Sequence, residues 1–282
     1  MTDTIEIAGL DGGRPWSAFG HNFALGRVQI GTRDTQGHIR LSDAWANRGD
    51  ENTEVLYVRH LEIGPASSLE LDGMTLYTLE YSNDGGALLP GPTGQLVEVG
   101  PIQHLGADGL TADYDPSGGD LLGPPLLSAT GPADVLVESA LQQMTHNTAA
   151  VTLTGNLAEE RSENGIAAGL FNNLVLDIID AASDVLASGA VGEMELREPA
   201  DGSGGLTGTA LMTVTDSVLR EGFALGYGDT MEVELRITGV NLDNFRSAFS
   251  GSAAVDLIPI PEPATLALLA AGSVLLLRRR KC

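Results

Sequence analysis

The chain has 282 residues, enough for one large domain or two small ones, and its 43% hydrophobic and 19% charged content is typical of a globular protein and argues against general disorder. Its 36 glycines and 5% aromatic residues favour a β-rich fold with many tight turns. Residues 1–260 hold 37 Asp and Glu against 11 Arg, a net charge of −26 that argues against nucleic acid and anionic membrane surfaces as partners.

Residues 1–24 are predicted to be an irregular N-terminal segment. The first six residues are polar and acidic, with neither the basic start nor the apolar stretch of a secretory signal peptide. Because the C-terminal segment described below requires export, we expect the true signal to lie upstream of Met1 and the segment to be truncated.

Residues 25–100 are predicted to form a β-helix-like or β-roll-like region. Apolar and polar residues alternate within 55–81, and turn signals at Gly64-Pro65 and Asp72-Gly73 separate the short strands. Residues 55–86 resemble the coils of β-helix and adhesin-type surface proteins, in which tight Gly/Asp corners join short apolar strands. The alternative is an ordinary pair of antiparallel hairpins.

Residues 101–135 are rich in Gly and Pro and are predicted to be a linker or a long loop. Within them Asp113, Asp115 and Asp120 are a candidate calcium site, because carboxylate oxygens are hard ligands for a hard cation. The twelfth position counted from Asp113 is Pro124 rather than Glu, so the EF-hand pattern fails. We therefore expect no cofactor, with a solvated turn as the alternative to calcium.

Residues 136–257 are predicted to form an antiparallel β-sandwich. Met231–Thr238 alternates cleanly, which places Met231, Val233, Leu235 and Ile237 towards a core. Further strand candidates are 151–154, 174–179, 193–197 and 211–215. The predicted class is all-β: a β-helix or β-roll part, then a sandwich, then a C-terminal hydrophobic helix.

No catalytic constellation stands out in the sequence, so a non-enzymatic protein is predicted. The Gly-x-Ser-x-Gly elbow, the His-Glu-x-x-His motif and the phosphate-binding loop are missing, and the five histidines show no ligand spacing. Glu232 and Glu234 would lie about 7 Å apart on one strand face, a separation that glycosidases can use. A secreted hydrolase that uses carboxylates is therefore the enzymatic alternative.

Residues 258–282 have three parts that follow one another at the C-terminus. The first is the triplet Pro261, Glu262 and Pro263, which cannot form a helix interior. The second is an uncharged stretch over 264–277, predicted to be a short transmembrane helix whose apolar side chains include Ala264, Leu266, Leu268, Leu269, Leu275, Leu276 and Leu277. The third is a basic cap formed by Arg278, Arg279, Arg280 and Lys281.

The helix over 264–277 would be about 21 Å long, against a hydrocarbon core of about 30 Å. It is therefore a marginal span, and the basic cap should stay on the cytoplasmic side. The three parts in this order resemble the PEP-CTERM sorting domain. The resemblance covers about 22 residues, and the alternative is a plain single-pass tail anchor.

Membership of that family implies that a membrane peptidase, exosortase, cleaves near the triplet after transient anchoring in the inner membrane. The body would then reach the cell surface or the extracellular space of a bacterium that makes exopolysaccharide or biofilm. We therefore predict a non-enzymatic surface or matrix protein, with exosortase and exopolysaccharide as partners. The alternative is a secreted, lectin-like carbohydrate-binding protein, because sandwiches often carry such sites.

Overall fold

The structure is a computed structural model that describes residues 2–7, 9–22, 24–44, 54–117, 124–199, 204–223 and 227–261. Within these residues the chain is all-β, as predicted, apart from one five-residue helix and a short 3-10 turn. The chain divides into two compact units. Unit 1 comprises Met1–Ile102, Ser139–Gln142 and Leu219–Leu225, and unit 2 comprises Gln103–Glu138, Gln143–Val218 and Gly226–Cys282.

Unit 1 consists of short strands in two sheets. Its elements are β1 (Asp3–Glu6), β2 (Gly9–Leu10), α1 (Ser17–His21), β3 (Leu25–Ile30), β4 (His38–Ser42), β5 (Glu54–Ile63), β6 (Ser68–Glu70), β7 (Thr75–Asn83), β8 (Ala87–Leu89), β9 (Gln95–Glu98) and a 3-10 turn at Arg220–Gly222. One sheet has the parallel order β1-β4-β6-β8. In the other sheet, β5 pairs in parallel with β3 and β7, and antiparallel with β2. Strand β9 pairs in parallel with β7. Segment 1–24 therefore contributes ordered elements, in contrast to the predicted irregularity.

From β3 to β9 the chain alternates between the two sheets of unit 1. Across β5, β7 and β9 the register step is twenty residues, since Thr75 pairs with Val55 on one side and with Gln95 on the other. The pairing is parallel, so the alternative of antiparallel hairpins is wrong for these residues. A β-helix or β-roll as the named fold stays a prediction.

The alternation predicted for residues 55–81 sets the core of unit 1. Leu61, Ile63, Leu69, Leu71 and Leu76 belong to one buried apolar cluster. The predicted corner after Leu71 is also confirmed, because Asp72 and Gly73 have φ values of 50° and 88°. This left-handed conformation suits Gly and is tolerated by Asp.

The described residues of unit 2 form nine antiparallel strands, most of them longer than the strands of unit 1. They are β10 (His104–Asp115), β11 (Leu126–Glu138), β12 (Gln143–Glu160), β13 (Ala168–Ile179), β14 (Val185–Val191), β15 (Met194–Arg197), β16 (Leu206–Asp216), β17 (Tyr227–Thr238) and β18 (Phe249–Pro261). Eight of them follow the order β12-β11-β10-β18-β17-β16-β14-β13, and β13 pairs with β12 again. The sheet therefore closes on itself, and β15 joins β13 to β16 beside β14.

This closed sheet replaces the predicted sandwich over 136–257. Alternate side chains point to its interior, including Met231, Val233, Leu235 and Ile237, each at most 1% exposed, as the alternation predicted. Bulges let long strands bend and coil, and the ladders of β10 with β11 and of β11 with β12 both shift register. A sheet that curls far enough pairs its own two ends instead of packing against a second sheet.

Residues 101–135 are not a linker, because the described part of this range contains β10 and most of β11. Their glycines and prolines mark irregular positions within strands. Gly109, with φ 79°, lies where the β10 ladders shift register. Pro132 pairs with Ala150 next to a shift in β11. Bulges are positions at which a sheet accepts Pro and positive-φ Gly, so composition alone predicted a loop incorrectly.

Candidate functional site at the end of the last strand

Strand β18 leads directly into the predicted sorting segment. Its inward side chains Ala253, Val255 and Leu257 are buried, while Ile258 is 44% exposed on the outer face. This period-two pattern is the one expected of a strand in a closed sheet. The strand continues to Pro261, so the sheet and the predicted triplet share a residue.

The two neighbours of β18 end at different places. Its pairing with β10 runs from Tyr114↔Phe249 to Leu105↔Leu257. Its pairing with β17 continues to Tyr227↔Pro261, after a register shift between Met231 and Tyr227. Among the described residues, Ile258–Pro261 thus pair with β17 alone.

Two of these four residues, Pro259 and Pro261, are prolines and have no backbone N–H. Within sheets, proline is largely confined to edges, strand starts and bulges. Because β10 does not pair with these residues, the end of β18 is held on one side only, unlike the strand interior.

The rest of the predicted sorting segment lies outside the described residues. This applies to Glu262, Pro263, the apolar stretch over 264–277 and the basic residues 278–281. In the part of the chain that the structure does describe, no helix has the length and apolar character needed to span a bilayer.

The candidate calcium residues are only partly brought together. Asp113 and Asp115 lie on the same face of β10, and Asp120 falls outside the described residues. Asp115 Oδ1 accepts hydrogen bonds from the Ser117 N–H and hydroxyl, at 2.8 and 2.6 Å. Across the described ranges, no three His, Cys, Asp or Glu side chains are grouped as metal ligands. Calcium binding at this turn stays a prediction.

A groove of about 400 Å³ lies at this end of β10, β11 and β18. Tyr114 lies beneath it, and its ring stacks on Phe249 with centroids 5.3 Å apart. The Tyr114 hydroxyl donates to the Phe245 carbonyl oxygen at 2.9 Å. Burial, together with the charges of Glu160 and Asp115, raises the pKa of Tyr114 to about 12. This tyrosine therefore stays protonated at neutral pH and packs as an apolar group.

Several carboxylates pair with arginines, among them Glu234 of the pair considered for a hydrolase. Glu159 Oε2 lies 2.8 Å from Arg161 Nη2, and Glu160 Oε2 lies 3.2 Å from Arg246 Nε. The carboxylate of Glu234 lies 3.9 Å from Arg236. These are outward-facing ion pairs on strands and loops, as expected of solvated charges.

Three histidines face carboxylates, an arrangement that sequence analysis did not find. His60 Nδ1 lies 2.7 Å from Glu80 Oε2, and His146 Nδ1 lies 3.4 Å from Asp180 Oδ2. His104 faces two carboxylates. The partners lie on neighbouring strands or, for Asp180, directly after one, and they are between 20 and 152 residues apart in the chain, so no spacing in the sequence could have identified them.

Comparison with known families places one functional element in the chain. Residues 259–281 match the PEP-CTERM protein-sorting motif. No curated protein and no solved structure matched the chain. The motif implies export and transient membrane attachment during sorting towards the cell surface, and it begins inside strand β18.

Proposed function

We propose that this chain is an exported bacterial surface protein that exosortase releases from a transient anchor in the inner membrane. The observation that carries the proposal is the PEP-CTERM protein-sorting motif at residues 259–281. The same segment contains the Pro261–Pro263 triplet, the uncharged stretch and the basic cap, in the order that sorting requires.

The charge distribution supports the direction of insertion. The body of the chain carries −26, whereas its last five residues carry four positive charges. Basic residues beside a membrane span are retained on the cytoplasmic side. An anchor inserted in this way leaves the acidic body outside the membrane.

For the body we propose a non-enzymatic role in the extracellular layer, in association with exopolysaccharide. The missing catalytic motifs and the ion-paired carboxylates support this role. A net charge of −26 repels an anionic polymer, so the polymer we expect is neutral. The lectin-like alternative was based on the predicted sandwich. Since unit 2 forms a closed sheet instead, that basis is gone.

The experiment is to express the chain behind a secretory signal peptide in a bacterium that has exosortase and to measure the intact mass of the extracellular form. We expect a C-terminus near Pro261–Pro263 and loss of the basic cap. Glu262→Ala should abolish the processed form. Glu193→Ala, which removes the same charge from an exposed position in unit 2, should be processed normally. A cytosolic, full-length wild type would overturn the proposal.

The polymer association has its own test, which is co-sedimentation of the processed protein with purified neutral and anionic exopolysaccharides. Binding to the neutral polymer alone is expected. Equal recovery in the supernatant with and without either polymer would contradict the association and would leave the sorting proposal intact.

A further inference from the structure

The sorting motif and the folded sheet overlap. The motif begins at Pro259, and β18 remains paired with β17 as far as Pro261. No connecting segment separates the closed sheet from the residues that the processing enzyme must recognise. Since an extended chain advances at most about 3.6 Å per residue, Pro263 lies within about 7 Å of the last paired residue.

Because the motif lies so close to the sheet, pairing within the sheet can obstruct binding of the enzyme. Recognition of an extended peptide commonly uses its backbone N–H and C=O groups and the pockets for alternate side chains. Over Ile258–Pro261 one backbone edge is already occupied by β17. An enzyme that encloses this segment on both sides would have to displace β17.

Displacement at this point breaks pairing on one side only, because Ile258, Pro259 and Pro261 pair with β17 and not with β10. It also exposes Pro259, which is buried. The pairing also passes through a register shift beyond Met231. One residue earlier, Leu257 is fully buried and paired with both β10 and β17, so the closed sheet resists opening from Leu257 inwards.

We propose that Ile258–Pro261 detaches from β17 and is bound in extended form by the processing peptidase, while the closed sheet remains intact up to Leu257. This inference rests on the proposed function, since it names how exosortase gains access to its substrate. Cleavage is then limited by strand release as well as by recognition of the triplet.

A removable cross-link tests the release step. Glu232 and Ile258 are register partners with exposed side chains, and paired positions of this kind suit a disulfide. In the double variant Glu232→Cys/Ile258→Cys, with the disulfide verified by non-reducing peptide mapping, we expect processing to fall at least tenfold and to recover on addition of reductant.

The matched control is Thr238→Cys/Ser252→Cys, which links the same two strands at another exposed register pair, away from the motif. It should be processed at the wild-type rate. The natural Cys282 follows the basic cap in the tail, and on the reducing cytoplasmic side it should not compete for these disulfides.

An insertion gives the opposite change. Six Gly/Ser residues between Ile258 and Pro259 leave the motif at 259–281 unchanged but separate it from the sheet. Processing should become faster than in the wild type and should no longer depend on the paired end of β18.

The inference fails if the linked variant and the insertion variant are both processed at the wild-type rate, because the strand end would then be accessible in place. That result leaves the proposed function standing. Failure of the proposed function has a different signature, namely that the wild type itself is never processed.

Discussion

His104 and Asp256 face each other across β10 and β18, with His104 Nε2 2.8 Å from Asp256 Oδ1. The other ring nitrogen, Nδ1, lies 3.1 Å from Glu138 Oε2 on β11. Arg236 on β17 contacts the second oxygen of Asp256, and Gln143 on β12 donates to Glu138 at 2.7 Å. These side chains form one polar row across five neighbouring strands. His104 thus bridges the carboxylates of Asp256 and Glu138 within this row.

Replacing His104 tests this row. We expect His104→Gln to lower the free energy of unfolding of unit 2 by about 1 kcal/mol, since both partners are partly exposed and solvent screens the pairs.

Urea unfolding followed by circular dichroism measures that difference. His38→Gln is the control, because His38 faces the Ser68 hydroxyl at 2.9 Å rather than a carboxylate. Equal unfolding free energies for the two variants would contradict a contribution from the polar row.

A buried and an exposed leucine of the closed sheet should respond differently to truncation. Leu235 on β17 is 0% exposed, and Leu211 on β16 is 57% exposed. Leu235→Ala removes packed methyl groups and leaves a cavity, so a loss of about 2–5 kcal/mol in unfolding free energy is expected. Leu211→Ala should change it by less than about 0.5 kcal/mol. Equal effects in urea denaturation would mean that Leu235 does not face a packed interior.

Gly86 tests the close approach of chain segments in unit 1. A Cβ at this position would lie 2.3 Å from Ile63 Cγ2 and 2.7 Å from the Gly64 carbonyl oxygen. Gly86→Ala should therefore cost about 2 kcal/mol through overpacking. Gly26→Ala is the matched control, since a Cβ there has no neighbour within 4 Å. Thermal unfolding that ranks the two variants in the reverse order would contradict the packing of this region.

Alkaline titration should reveal the buried tyrosines. Burial raises the pKa of both Tyr77 and Tyr114 to about 12, with contributions from Asp11 and from Glu160 respectively. Between pH 10 and 12 the unfolded chain releases these protons while the folded chain keeps them, so stability falls as the pH rises.

The near-ultraviolet absorbance of tyrosinate measures this titration. Tyr114→Phe should remove one late-titrating group and make the alkaline loss of stability shallower. At neutral pH the same variant should cost about 1 kcal/mol, because the hydrogen bond to the Phe245 carbonyl oxygen is lost. Complete tyrosinate formation near pH 10 in the folded protein would contradict the burial.

Features that depend on single strands were predictable from the sequence. The inward residues of Met231–Thr238 follow from period-two alternation, which needs no knowledge of neighbouring strands. The pairing of neighbours is not local, and His104 and Asp256 are 152 residues apart in the chain. Closure of the sheet therefore could not be derived from alternation, and a sandwich with the same strand pattern was the prediction.

The sorting site was predictable for a similar reason. Its three parts follow one another in the chain, so order and composition identified the motif that residues 259–281 match. The overlap of its first residues with β18 depends on pairing with Tyr227 and Met231, which the sequence does not show. Gly131 and Pro132, by contrast, misled the prediction, because bulged strands and loops use the same residues.

Ring closure in unit 2 has a consequence for the timing of folding. Its first strand, β10, must pair with its last, β18, whose thirteen residues directly precede the rest of the sorting segment. Contacts so distant in sequence form slowly. On the proposed function, they cannot form before the C-terminal end of the body has crossed the membrane, and the tail reaches the bilayer as the last strand becomes available. The anchored interval before cleavage would then be the period in which the closed sheet completes its folding.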